Sequence, residues 1–357
     1  TAAYGGGLRE MMGMGLSIDA TTEAAKHLFA KATNGERRLE DEVNNDVLAG
    51  YSLIYQGCHN STSWSDEGVQ YMGLVQFKLC HSYYCGDNGK CRSQMAGDYV
   101  VDLNTFVDSY LESKLELNRY KCEMLREQCG CNGENDDCMY YCYKTYGDDD
   151  LKWSECQDEQ GNEEQYGECR GLEIENDDDD DGGRRLGDDG GYYTGPYCGP
   201  DGEGVYMSIF KDEECANHVD DPAKTYYLLS GGKKMKYSLK SGNSLVKNDC
   251  LECKEPVEQN DDDAADENEL TRICEETYQR SAKCETYMTD MGYYRDTSGC
   301  SLIAQLNMMS SMSMQMVGFS GSSGWTLGSF GVLMACVFVA VGAATYYAKK
   351  AKKQQRR

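Results

Sequence analysis

Residues 69–80 read VQYMGLVQFKLC, and residues 103–129 read LNTFVDSYLESKLELNRYKCEMLREQC. In the first run Val69, Tyr71, Val75, Phe77 and Leu79 alternate with Gln70, Gln76 and Lys78 as far as Cys80. That is the two-residue period of a half-buried strand. In the second run Leu103, Val107, Tyr110, Leu111, Leu117, Cys122, Leu125 and Cys129 fall near one face of a 3.6-residue helix. The change of period predicts a helix over 104–128 packed on strands, hence an α+β fold. Thr105 and Asp108 have the spacing of an N-terminal capping box. Cys122 and Cys129 lie two turns apart on the buried side, placed to staple the helix to the strands.

Working outward, Tyr51–Tyr55 (YSLIY), Gly204–Phe210, Tyr226–Leu229 and Met235–Leu239 read as further short strands. Ser230-Gly231-Gly232 supplies turn chemistry between the last two. A second helix is expected over Asp266–Asp290, with Leu270, Ile273, Cys274 and Tyr278 on one face. Gly68–Leu74 echoes Gly204–Ile209, which raises the hypothesis of an internal duplication. The expected organisation is a pro-segment or mobile arm (1–38), a Cys-rich lobe (39–170), an acidic linker (171–189) and a second Cys-rich lobe (190–300). A Met-rich and Gly/Ser juxtamembrane stalk (301–324), a transmembrane helix (325–348) and a basic tail (349–357) complete it. Each lobe is read as short strands plus one helix, and the Met-rich run as a short interfacial helix.

The last segments set the compartment. Trp325–Ala348 has no charged side chain, and Lys349, Lys350, Lys352, Lys353, Arg356 and Arg357 follow at once. About 20 helical residues cross the ~30 Å hydrocarbon core. The basic flank places the C-terminus in the cytoplasm and everything before Trp325 outside the cell or in a secretory lumen. Gly331/Ala335 and Ala340/Ala344 are small pairs compatible with self-association of the span.

Eighteen of the 19 cysteines precede the span, an even set suited to full pairing on the oxidising side. They are Cys58, Cys80, Cys85, Cys91, Cys122, Cys129, Cys131, Cys138, Cys142, Cys156, Cys169, Cys198, Cys215, Cys250, Cys253, Cys274, Cys284 and Cys300; Cys336 lies in the span. With 7 Phe and 27 Tyr, bridges rather than one large apolar core are expected to hold the fold. Asn60-Ser61-Thr62 is a glycosylation sequon. Arg37-Arg38-Leu39 and Arg184-Arg185-Leu186 are candidate processing sites cut at Arg38 and Arg185.

The net charge is -26, and residues 1–348 carry 29 basic against 61 acidic side chains. Such a chain repels nucleic acid and attracts cations: basic proteins, polyamines, Ca²⁺ or a cation-coated wall or mineral. The runs Asp148–Asp150, Asp177–Asp181 and Asp261–Asp263 lack the EF-hand pattern, and they are read as solvated, with weak collective Ca²⁺ binding at most. The four His (His27, His59, His81, His218) form no zinc-ligand spacing, and no resident metal or other cofactor is expected. Cys250-Leu251-Glu252-Cys253 is the only Cys-x-x-Cys; Pro256 and acidic neighbours argue for structural cystine over a redox-active thiolate.

Several phrases together resemble a family of uncharacterised secreted and single-span membrane proteins of diatoms and related stramenopile algae. They are Arg37–Asp41, Tyr51–Cys58, Asp98–Tyr110, Gly195–Cys198, Phe210–Cys215 and Asp249–Glu255. The resemblance implies a cell-surface or vesicle-membrane location, extends to silica or wall biogenesis only by extrapolation, and carries over no catalytic residue. The expectation is therefore a non-enzymatic type I membrane glycoprotein with a disulfide-rich, two-lobed α+β ectodomain. Its acidic, Tyr-rich face would meet a cationic partner in adhesion, assembly or wall contact. The alternatives are a lumenal thiol-disulfide oxidoreductase using Cys250 and Cys253, and an extracellular assembly subunit that polymerises.

Overall fold

The computed structural model describes residues 16–17, 45–65, 68–86, 89–92, 95–131, 136–147, 156, 166–174, 184–185, 191–200, 202–256, 269–288 and 295–308. In chain order the elements begin with β1 (Leu16–Ser17), α1 (Asn45–Leu48), β2 (Tyr51–Ser65), β3 (Gly68–His81), β4 (Cys85–Gly86), β5 (Lys90–Cys91), β6 (Gly97–Asp102), α2 (Leu103–Cys129) and α3 (Asp136–Tyr146). Then come β7 (Arg170–Gly171), β8 (Glu173–Ile174), β9 (Arg184–Arg185), β10 (Tyr193–Cys198), β11 (Val205–Phe210), α4 (Pro222–Leu229), β12 (Cys250–Glu252), α5 (Arg272–Arg280), β13 (Ala282–Cys284) and α6 (300–308).

The central sheet runs in the order β1-β2-β3-β6-β13, with β12 also on β2. Its pairings are antiparallel except for β1, which lies parallel to β2. β12 lies along Ser52–Ile54 and β1 along Ser61–Thr62, so the outer edge of β2 is covered at two points. Covered edges leave fewer unpaired backbone groups to recruit another chain. β1 belongs to the segment expected as a pro-segment or arm, and it contributes a sheet strand instead. A register shift between Tyr55 and Gly57 bends β2. A Cβ at Gly57 would lie 2.7 Å from the Gly202 carbonyl, so only glycine fits this close approach.

The two-residue period delivers side chains to both faces. Val75, Phe77, Leu79, Tyr99 and Val101 join the main core with Leu53 and Tyr55 from β2. Phe106, Val107, Tyr110 and Leu111 of α2 pack into that core, and Phe77 stacks on Tyr99 with ring centres 5.0 Å apart. The opposite face is also covered: Leu74, Val100 and Ala282 pack against Leu302, Ile303 and Leu306 of α6. Gln76 donates through Nε2 to Asn307 Oδ1 at 3.1 Å. β3 is therefore not the half-buried strand expected around Gln76, because that polar position meets a polar partner on a covering helix. Residues 301–308 likewise belong to the domain and not to a stalk: Cys300 is bridged to Cys284, and the apolar side of α6 fills the second face.

α2 begins where the Asp102 carboxylate accepts from Thr105 N at 2.9 Å, and it ends at Gly130 with φ 60°. The cap is thus Asp102, not the expected Thr105–Asp108 box; an Asp acceptor three residues before a free N–H satisfies the same orphan donor. α5 is much shorter than the expected Asp266–Asp290 helix, because Ala282–Cys284 turns into strand and pairs with β6. Tyr226–Leu229 lies in α4, capped by Asp221 with Pro222 at its start, and Met235–Leu239 forms no strand.

The two expected lobes are not separate. Residues 1–309 group as one unit. β12 and β13, late in the chain, complete the sheet built by residues 51–102, and Cys85–Cys250 and Cys58–Cys198 join the early and late halves. The echoed phrases do not occupy equivalent places either: β3 is interior to the six-stranded sheet, and β11 is at the edge of a three-stranded sheet β11-β10-β7. All eighteen cysteines named above are paired: the other bridges are Cys80–Cys91, Cys122–Cys156, Cys129–Cys142, Cys131–Cys138, Cys169–Cys215, Cys253–Cys274 and Cys284–Cys300. Cys122 and Cys129 thus staple α2 to the later residues Cys156 and Cys142 and not to the strands.

Candidate interaction surface

α2 outruns the sheet. Beyond Leu111 its buried positions thin to Asn118, Cys122 and Leu125. Cys122 and Leu125 form a small separate core with Cys131, Met139 and Cys142, backed by Cys129, Cys138, Tyr143 and Cys156. Six of these nine residues are half-cystines, so three bridges substitute for apolar volume in fixing this head. α3 turns Met139 and Cys142 inward and leaves Tyr141 and Tyr146 exposed at 68% and 60%, with Tyr140 at 45%. Tyr140 and Tyr141 meet edge-on, ring centres 6.0 Å apart. The surrounding sequence is strongly acidic: residues 132–189 contain 21 acidic and 5 basic side chains. Carboxylates attract a cation from a distance, and tyrosine faces hold it at contact.

A second aromatic group sits at the end of β3. Ser82–Tyr84 forms a single 3₁₀ turn in which Tyr83 Nα donates to His81 Nδ1 at 3.4 Å. Tyr83 and Tyr84 meet edge-on at 5.1 Å, His81 lies 5.8 Å from Tyr84, and Tyr51 lies 5.7 Å from His81. Tyr83 is 84% exposed. The bridges Cys80–Cys91 and Cys85–Cys250 fasten this turn on both sides.

Constellations that would carry chemistry resolve into structural roles. Cys250 is bridged to Cys85 and Cys253 to Cys274, so the Cys-x-x-Cys is split between two cystines and forms no dithiol pair. Burial pushes His218 down to about 4 against the nearby Asp212 charge, and its Nδ1 lies 2.9 Å from Ser208 Oγ. Ser208 is buried, so its hydroxyl is closed to a substrate. Burial also lowers the His59 pKa, opposed by a hydrogen bond that its ring donates to the Gln76 side chain. Glu285 is fully buried; its Oε1 accepts from Tyr99 Oη at 3.1 Å and Tyr278 Oη at 2.7 Å, and its Oε2 accepts from Asp296 N at 2.8 Å. Those bonds tie the return after β13 to β6 and α5. Arg272 of α5 pairs with Glu112 of α2 and with Glu276, clamping the two helices. Among the described residues no group of three His, Cys, Asp or Glu is placed to hold a metal ion.

Asn60 is exposed on β2, and its Nδ2 donates to the Cys198 carbonyl at 2.9 Å. Arg185 lies in β9, opposite Glu173 of β8. Arg38, Cys336, the three aspartate runs, the span 325–348 and the tail lie outside the described residues. Among the described residues no helix is long and apolar enough to cross a membrane.

Sequence reasoning missed α3 and its tyrosines. The signal was available: Cys138, Met139, Cys142 and Tyr143 follow helical spacing after Asp136 and Asp137. Compared with protein-family models, characterised proteins and solved structures, the chain matches none.

Proposed function

We propose that this chain is a non-enzymatic, membrane-anchored surface or vesicle-lining protein whose cystine-stapled head presents tyrosines to a cationic partner. The observation that carries the reading is α3: Tyr141 and Tyr146 exposed on a small cystine core, in a stretch with 21 acidic and 5 basic side chains. A rigid aromatic display gives contact area at little entropic cost, and the carboxylates supply attraction. The split of Cys250 and Cys253 between two bridges favours this reading over a thiol-disulfide oxidoreductase. Anchoring rests on Trp325–Ala348 and its basic flank, and the positive-inside rule puts the acidic portion on the side away from the cytoplasm. The resemblance to diatom surface proteins points the same way.

The test is titration of the full-length chain with spermine, read by tyrosine fluorescence and calorimetry. Exposed cation–π contacts contribute about 0.5–1 kcal/mol each, so Tyr141→Ala with Tyr146→Ala should weaken binding roughly five- to thirtyfold. Rising salt should weaken it further. Unchanged spermine affinity in the double variant, or none in the wild type, sinks the reading. Protease added to sealed vesicles should spare the acidic portion and leave only the basic end open to cytoplasmic-side cleavage.

A further inference from the structure

One segment inverts the charge of the rest. From Pro222 to Asn248 there are six lysines and no acidic residue, in a chain of net charge -26. The segment is anchored, not loose. Met207 N donates to the Tyr237 carbonyl at 2.8 Å, and Leu245 N to the Val205 carbonyl at 2.8 Å. Ser244 Oγ accepts from Val205 N at 3.1 Å. Met235, Leu245 and Val246 are buried plugs. Tyr237 has φ 49°, a left-handed turn that non-glycine residues rarely adopt. Lys234, just before the first plug, and Lys240, between the plugs, are exposed, as are Lys224, Tyr227 and Leu228 on α4. A lysine face with an aromatic and an aliphatic side chain beside it is matched to an acidic peptide.

The same small sheet supplies such a peptide at its other side. In the order β11-β10-β7, the lysine segment caps the outer edge of β11. β8 follows β7 after Leu172 and pairs with β9, so the ladder brings residues 174 and 184 together. The nine residues that join them read ENDDDDDGG. The described ends of that run, Ile174 and Arg184, thus follow the β7 side of the three-stranded sheet, and the lysine segment lies on its β11 side. A surface that is complementary to a different surface of the same molecule makes head-to-tail contacts.

We propose that the lysine face of residues 222–248 docks the aspartate run 175–183 of a second copy of this chain, joining copies head to tail. The contact uses neither α3 nor its tyrosines, and although it shares the carboxylates of residues 175–183 with the cation-binding reading, reversal of Lys234 and Lys240 tests it without touching that reading. At about 0.15 M ionic strength the screening length is about 8 Å, so the global repulsion between two acidic copies is damped while contact pairs persist.

The experiment is sedimentation velocity of the full-length chain in neutral detergent over a concentration series, with near-ultraviolet circular dichroism to verify folding. The wild type should associate with increasing concentration and dissociate in high salt. Lys234→Glu with Lys240→Glu, and separately Asp178→Lys with Asp180→Lys, should each weaken self-association about tenfold or more. Mixing the two variants should restore it, since each reversed surface then meets an opposite charge. A monomeric wild type, variants that associate as the wild type does, or a mixture no better than its parts overturns the proposal. Crosslinks between the lysine face and the aspartate run confined to one polypeptide would show the chain's own run as occupant and equally overturn it.

Discussion

Replacing Glu285 should show how strongly one buried carboxylate holds the return after β13. Its oxygens are the acceptors for the Tyr99 hydroxyl, the Tyr278 hydroxyl and the Asp296 amide. Glu285→Ala strands all three donors, and a buried donor left without its partner costs about 1–3 kcal/mol. Water entering the vacated space recovers part of that, so the expected loss is about 3–6 kcal/mol. Glu285→Gln retains an acceptor for both tyrosines but turns an amide toward Asp296 N, and should cost about 1–3 kcal/mol. Burial, as the largest influence, raises the Glu285 pKa above its ordinary value. A raised folded-state pKa means that the native state holds the proton more tightly than the unfolded chain. Its stabilising contribution is then complete below the ordinary glutamate range and is lost as pH rises through the folded value. Many other carboxylates titrate nearby, so the informative quantity is the difference between wild type and Glu285→Gln. Urea unfolding of the oxidised full-length chain, repeated from pH 4 to 8, should give a wild-type advantage that shrinks with pH. An alanine variant within about 1 kcal/mol of wild type would refute the account of the network.

The fold leads to three further outcomes. Non-reducing peptide mapping should recover Cys85 linked to Cys250 and Cys253 linked to Cys274; a Cys250–Cys253 peptide would overturn the arrangement. Leu302→Ala should cost about 2–5 kcal/mol in chemical denaturation, since Leu302 is buried in the second core, and a cost near zero would mean that α6 does not cover the sheet. Asp102→Ala should cost about 0.5–2 kcal/mol through loss of the α2 cap, whereas Thr105→Ala should leave capping intact, because the Thr105 amide rather than its hydroxyl makes the bond.

Features that depend on neighbours along the chain were legible in the sequence. The alternation ending at Cys80 and the helical face from Leu103 to Leu125 emerge as β3 and α2 with small shifts of boundary. The even cysteine set emerges fully paired among the residues named. Its connectivity was not legible, because loop spacing does not reveal which strands become neighbours: Cys85 and Cys250 are 165 residues apart. The two-lobed reading failed for the same reason. A linker-like composition at 171–189 says nothing about whether β12 and β13 later return to pair with β2 and β6. Tyr226–Leu229 looked strand-like by residue type, yet Asp221 and Pro222 in front of it carry the helix-start signal that prevailed. The helical spacing of α3 is carried largely by half-cystines, which read as bridging residues before they read as a helix face, so its tyrosines were overlooked.

The interleaving of early and late strands bears on what a nick at Arg185 would accomplish. Cys58–Cys198, Cys85–Cys250 and Cys169–Cys215 all straddle that point, and the central sheet draws strands from both sides of it. Proteolysis there would change connectivity without shedding anything: the severed halves would travel as one particle and come apart only after reductant and denaturant together. Scission at Arg185 would free new termini while the amino-terminal piece stays tethered through these bridges to the carboxyl-terminal one.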